Sequence, residues 1–349
     1  MKNAVYVTDS HIEKHGSGGG VVSYHEYEAL KKVCTVRNVY QYIGKLLVEE
    51  VYPRNPFMHD YYIASIVDNP DEIELAQFYG AGWTLTMRRL SKAKIIVTVA
   101  AHNLQISLEE WSNFQFIEPP PPHLTNPDLF ALLCKGLTEE ADIIVCPSTS
   151  SAKFLVDKLH VKEPVIIPHG TDLPEKWSSD REPFTVSSIG AFGPDKGQKY
   201  LIQAWRMRQF KGELIFAGNS YMQALTSGVS DIQCLGYVSD EQKNGLYAKS
   251  SVYVASSVTE GFGLGVLEAM SYGTPVIVTE GVGAKDCVED GKDGFVVPIR
   301  NPAAIAEKTL YFHDNPSEVK RMGANARKKA EQYEWGKIEK KYEDLYESL

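Results

Sequence analysis

Residues 252–278 constrain the fold more than any other part of this chain. The apolar run 252–255 reads as a buried strand, and a second run of the same kind begins at 276. Between them lies the turn Ser256-Ser257-Val258-Thr259-Glu260-Gly261-Phe262-Gly263, followed by a helix-like stretch from Leu264. Strand, glycine turn and helix in succession build a parallel sheet with crossover helices. The same succession makes an anion site. The first-turn N–H groups of a helix have no partner within it, and the helix dipole adds partial positive charge there. Two carboxylates frame the turn: Glu260 ahead of the helix and Glu268 about one turn inside it.

The rest of the chain repeats this alternation. Strand-like runs fall at 5–8, 63–67, 95–100, 143–146 and 165–167 in the first half. In the second half they fall at 186–189, 214–217, 232–235, 252–255, 276–279 and 295–297. They are continuous rather than alternating, as expected of strands covered on both faces. The fold class is therefore α/β, doubly wound. At 349 residues the chain is long for one core. The polar, proline-bearing stretch 173–183 reads as a linker. The expected organisation is a Rossmann-like domain over 1–172, the linker, and a second such domain over 184–323, with a cleft between the two. The charged helical segment 324–349 ends the chain. Ser239 and Gln242 are spaced as a capping box for a helix over 240–250. A net charge of −9 disfavours a duplex nucleic-acid partner. No apolar run reaches the roughly 18 residues of a membrane span, and the five cysteines lack any Cys-x2-Cys pair, as suits reduced thiols in the cytoplasm. His11 and His15 have the spacing of two metal ligands on a helix, but no third ligand accompanies them.

The segment from Glu260 through Glu268, with Ala269-Met270 and Gly273-Thr274-Pro275-Val276 after it, resembles the Glu-x7-Glu signature of the retaining nucleotide-sugar glycosyltransferases of family four, which have the GT-B fold. The resemblance implies roles for individual residues. Glu268 matches the glutamate that binds the ribose hydroxyls. Glu260 matches the glutamate near the donor sugar and the reaction centre. Phe262, Gly263 and Leu264 would present backbone N–H groups to phosphate and sugar. Lys196, in Gly193-Pro194-Asp195-Lys196-Gly197, falls on the diphosphate-binding lysine, while Ala191 stands where the family has an arginine. Gly19 and Gly20 resemble the glycine loop of the N-terminal domain that faces the donor phosphates. His102, at a strand end, resembles the histidine that touches the donor sugar, which makes it and Glu260 the catalytic candidates. The segment Pro168-His169-Gly170-Thr171-Asp172 resembles a hinge, in which Gly170 is expected at positive φ. Asp286 falls where the family has a cleft glutamate, and Trp335 where a tryptophan precedes the last helix.

The resemblance implies transfer of a sugar from a UDP or GDP sugar to a carbohydrate or lipid-linked acceptor. No cofactor and no metal is implied: the Asp-x-Asp pair of metal-dependent enzymes is missing from the sequence. The basic cluster Arg88, Arg89, Lys92 and Lys94 is either a solvated face or a peripheral contact with an anionic membrane. Two other readings share these residues. One is a nucleotide-sugar epimerase of the same architecture. The other is a non-catalytic nucleotide-sugar-binding subunit, which Ala191 allows. A glycosidase would place its two carboxylates across a cleft, not in one local element.

Overall fold

The structure is a computed structural model of the chain. It describes residues 1–8, 18–41, 67–80, 83–101, 134–178, 184–207, 210–218 and 231–349, with the short pieces 12, 14, 60, 63–64, 106–107, 109–110 and 181. The backbone forms two compact units. Met1–Ala101, Pro122–Pro168 and Gly336–Leu349 make the first; His102–Pro121 and His169–Trp335 make the second.

In the first unit β1 (Asn3–Thr8) leads to α1 (Gly18–Val33) and β2 (Thr35–Gln41). After these come β3 (Leu75–Tyr79), α2 (Thr84–Arg89), β4 (Lys94–Thr98), β5 (Ile143–Cys146), α3 (Thr149–Leu159) and β6 (Val165–Ile166). All strands are parallel, in the order β2-β1-β3-β4-β5-β6. The order reverses beside β1, so the switch point where α/β folds bind ligands lies at its carboxyl end, just ahead of α1. One face of the sheet is closed by Val5, Val7, Phe78, Val97, Trp83, Met87 and Leu155.

The first-half expectations need two corrections. Of the strand expected over 63–67, residues 63 and 64 are helical and 67 is coil. Ile63 and Val67 are nonetheless buried in the same core, so their apolar character reports burial and not strand geometry. The strands β2 and β3 were not expected. β2 is interrupted by Arg37 and Asn38. β3 carries Gln77, which is fully buried and donates to Thr98 Oγ1 at 3.0 Å. A buried amide that donates from the middle of a strand breaks the apolar run without breaking the sheet.

The second unit contains β7 (Thr185–Ile189), α4 (Gln198–Arg206), β8 (Glu213–Ala217), β9 (Ile232–Cys234), α5 (Asp240–Lys249), β10 (Val252–Ala255), α6 (Leu264–Ser271), β11 (Val276–Thr279), β12 (Gly294–Val297), α7 (Pro302–Asp314) and α8 (Pro316–Ala330). Its parallel order is β12-β11-β10-β7-β8-β9. Numbered from β7, this is the 3-2-1-4-5-6 order of dinucleotide-binding sheets. The reversal falls between β7 and β10. Every strand expected for this half is present. Cores form on both faces, one around Leu201, Trp205, Phe216 and Phe312, the other around Phe262, Leu267, Met270 and Val278. The last helix, α9 (Trp335–Glu347), belongs to the first unit from Gly336 onward. There Tyr342 donates to Glu26 on α1 at 3.0 Å, and Glu339 pairs with His25 at 2.7 Å. Among the described residues, no helix is long and apolar enough to cross a membrane.

Candidate functional site

The carboxyl ends of β7 and β10, side by side at the switch point of the second unit, carry the two turns singled out in the sequence. After β7 the chain runs through Gly190 to a single 3-10 turn, Pro194–Lys196, closed by Gly197 at φ +67°. That turn is fixed to the segment after β10. The Val258 N–H donates to Asp195 O at 2.7 Å, and Ser256 Oγ donates to Lys196 O at 3.1 Å. After β10, Glu260 pairs by backbone with the turn following β11. Its N–H donates to Gly281 O at 2.9 Å, and its carbonyl accepts from Gly283 N–H at 3.1 Å. Phe262 is buried, and its carbonyl accepts from Ala284 N–H at 2.7 Å. Gly263 then starts α6 at φ +97°. No side chain caps α6; in its first turn the Val266 N–H donates to Gly263 O at 3.1 Å.

Two charged groups meet here. Lys196 Nζ lies 3.1 Å from Glu260 Oε1, both side chains about a quarter exposed. Ser257 Oγ donates to the other Glu260 oxygen at 2.6 Å. Burial alone would lower the Lys196 ammonium, but Glu260 and then Asp195 outweigh it and raise its pKa. The lysine is thus held charged beside the uncapped start of a helix. A cation, a helix N-terminus and a fixed carboxylate can hold an anion and stabilise charge developing next to it.

Glu268, on the fifth residue of α6, does not lack partners as its apolar neighbours imply. Its side chain is 29% exposed, and it accepts from Lys243 Nζ at 3.0 Å and Tyr247 Oη at 2.7 Å. Both come from α5, whose N-terminus has the expected capping box: Gln242 N–H donates to Ser239 Oγ at 3.2 Å and Ser239 N–H to Gln242 Oε1 at 2.9 Å. Sequence reasoning passed over Lys243 and Tyr247. The i,i+4 spacing of a lysine and a tyrosine on a capped helix was the available signal.

With this geometry in place, the comparisons with known proteins are specific. Residues 171–329 match the family model described as glycosyl transferases group 1. This segment is similar to the group 1 glycosyltransferases. An uncharacterized glycosyltransferase of Methanocaldococcus jannaschii is 29% identical over 219 residues, which span 62% of this chain and 62% of that protein. Among solved structures, sucrose-phosphate synthase from Thermosynechococcus elongatus matches with a TM-score of 0.78 at 17% identity, covering 100% of this chain and 99% of that one. HepE of Anabaena, in complex with UDP-glucose, matches at 0.74 and 16%, covering all of both chains. The two parallel sheets are those of the GT-B fold.

The remaining sequence candidates are more scattered. Gly19 and Gly20 are not in a loop ahead of a helix. They lie in the first turn of α1, at the switch point of the first unit. His102, His11, His15 and the prolines at 119–122 lie outside the described residues. Gly170 does not have positive φ. A Cβ there would stand 2.6 Å from the Trp335 ring, so packing and not backbone conformation requires the glycine. His169 beside it is buried, edge-on to Phe262 at 4.9 Å, and burial pushes its pKa down to about 3. It is therefore neutral. Ala191 is exposed, and its carbonyl accepts from Gln198 Nε2 at 3.2 Å. Lys199, a cation that could replace the family's arginine, is 2.6 Å from buried Glu110, which also binds Arg300 at 2.6 Å. Asp286 is an exposed residue of the turn Gly283–Cys287. Of the basic cluster, Arg88 pairs with Glu139 and Glu140, Lys92 with Asp71, and Lys94 with Asp142. Those three charges are locally balanced.

Proposed function

We propose that this chain is a retaining glycosyltransferase of family four that moves a sugar from a UDP or GDP sugar to a carbohydrate or lipid-linked acceptor, without a metal. The observation that carries the reading is the pairing of Lys196 with Glu260 at the uncapped start of α6, at the switch point of a dinucleotide-type sheet. Lys196 and the N–H groups from Phe262 to Leu264 hold the diphosphate and stabilise its growing charge as it leaves. Glu260, steadied by Ser257, faces the sugar carbon that becomes electron-poor. Glu268 accepts from the ribose hydroxyls. The complex of HepE with UDP-glucose supports a nucleoside diphosphate sugar as donor for this fold. His102, Gly19 and Gly20 complete the proposed set.

The test is steady-state kinetics with and without EDTA, on wild type and two variants. Glu268 touches a part of the donor that does not change during reaction, so E268A raises donor KM about 10- to 100-fold with kcat largely kept. Glu260 acts where charge changes, so E260A lowers kcat at least about 100-fold. Turnover that continues without any acceptor and inverts a sugar centre would assign an epimerase instead.

A further inference from the structure

We propose that Tyr247 and Lys243 are positioning residues that fix the Glu268 carboxylate for a vicinal diol, and thereby make the site discriminate ribonucleotides from their 2′-deoxy counterparts. This inference rests on the ribose assignment of Glu268 above.

An ionised carboxylate has about four lone-pair sites on two oxygens. Each Glu268 oxygen has one donor from α5: Lys243 on Oε1 and Tyr247 on Oε2. This arrangement fixes the carboxylate plane and leaves one site on each oxygen. Two parallel sites, one per oxygen, match the paired hydroxyls of a ribose. A glutamate on a helix surface would otherwise sample several rotamers and lose entropy on binding.

The support beneath the carboxylate is built for this. Tyr247 is 1% exposed, with its ring edge-on to Tyr253 at 5.7 Å and stacked on Tyr272 at 6.1 Å. Its hydroxyl has little freedom to move. Burial, with the adjacent Glu268 charge, raises its pKa well above the usual tyrosine value, so it donates at any working pH. Room for the hydroxyl is made by Gly265 in the first turn of α6. A Cβ there would stand 2.4 Å from Tyr253 Oη and 3.1 Å from Tyr247 Oη. Tyr253 Oη in turn donates to Ile189 O at 3.1 Å, at the end of β7. Lys243 is also held from its other side, by Asp240 at 3.3 Å.

Calorimetric titration of UDP, GDP, 2′-deoxy-UDP and 2′-deoxy-GDP tests the proposal, on wild type, E268A, Y247F, K243M and K243R. Wild type is expected to bind the ribonucleotide about 10- to 100-fold more tightly than its deoxy form. E268A brings that ratio close to one. Y247F and K243M each cut it about 5-fold or more, with a smaller loss for the deoxynucleotide, which keeps its 3′ hydroxyl on Glu268, and K243R restores it in part. Because Lys243 is partly exposed, K243M reads the effect even if Y247F destabilises the fold. Three outcomes overturn the inference: a ratio that Y247F and K243M leave intact while E268A abolishes it; equal losses for ribo- and deoxynucleotide; or a ratio that E268A itself does not change. The first two leave the glycosyltransferase reading standing. Failure of wild type to bind any of the four nucleotides overturns that reading instead.

Discussion

The resting site neutralises itself: Lys196, the proposed diphosphate ligand, is already paired with Glu260 at 3.1 Å. An arriving diphosphate must share or displace that pair, and it brings negative charge close to a carboxylate. Removing the carboxylate charge therefore has opposite effects on binding and on turnover. E260Q is expected to bind UDP or GDP about 5- to 30-fold more tightly than wild type while losing most of its kcat. Calorimetric affinity equal to or weaker than wild type would show that Lys196 is not contested between the two anions. The identities of Glu260, Glu268 and Lys196 were legible in the sequence, because each sits at a glycine turn or helix start with a fixed spacing. Their partners were not. Lys243 and Tyr247 lie on α5, whose run Asp240-Glu241-Gln242-Lys243-Asn244 reads as a solvated face. Ser257 reads as an ordinary turn residue. Hydrogen bonding between side chains of separate elements leaves no periodic trace in a sequence.

At the scale of elements, the position of Lys196 depends on how closely one turn seats on another. Gly197 has φ +67°, and a Cβ there would fall 2.0 Å from Ser256 O. That neighbour is backbone and cannot swing aside. G197A combines a left-handed conformation with a backbone clash and is expected to cost at least about 2 kcal/mol. It should also weaken nucleoside diphosphate binding, although residue 197 has no side chain to bind with, because the turn carrying Lys196 must lift away from Ser256 and Val258. Thermal unfolding and calorimetry on the same preparation check both effects; unchanged affinity with lowered stability would detach the turn from the site. The legibility of the strands divides by sheet. In the second sheet β10 and β11 are nearly uninterrupted apolar runs, as Val252–Ala255 and Val276–Thr279 show, and β7 is bracketed by Val186 and Ile189 around the small buried Ser187 and Ser188. In the first, β3 hides behind Gln77 and β2 behind Arg37 and Asn38, while Ile63 and Val67 imitate a strand from a region that contains helix. Periodicity reports burial first and secondary structure only through it.

At the scale of the whole molecule, the chain returns to its beginning: residues from Gly336 onward group with the first unit, and the tie between them is a buried acid. Glu26 on α1 is fully buried and accepts from Tyr6 Oη at 2.8 Å and Tyr342 Oη at 3.0 Å. Burial pushes its pKa up to about 7, against the donors that pull it down. An acid whose folded pKa is raised favours the folded state below its unfolded value, near 4.5, and that contribution is lost as pH climbs through the folded value. The first unit should therefore lose about 2 kcal/mol of stability between about pH 5 and pH 7.5 from this group alone. E26Q keeps the hydrogen-bonded shape without the titration, so its stability should be nearly flat across the same window once other groups are subtracted as common to both proteins. Urea unfolding of wild type and E26Q at half-unit steps of pH measures the difference directly. Parallel curves would mean that Glu26 does not change its protonation in that range, and that the tyrosines hold it in one charge state throughout. Diverging curves, with wild type falling away above about pH 5, would show that the contact joining the last helix to the first is tuned by a single proton.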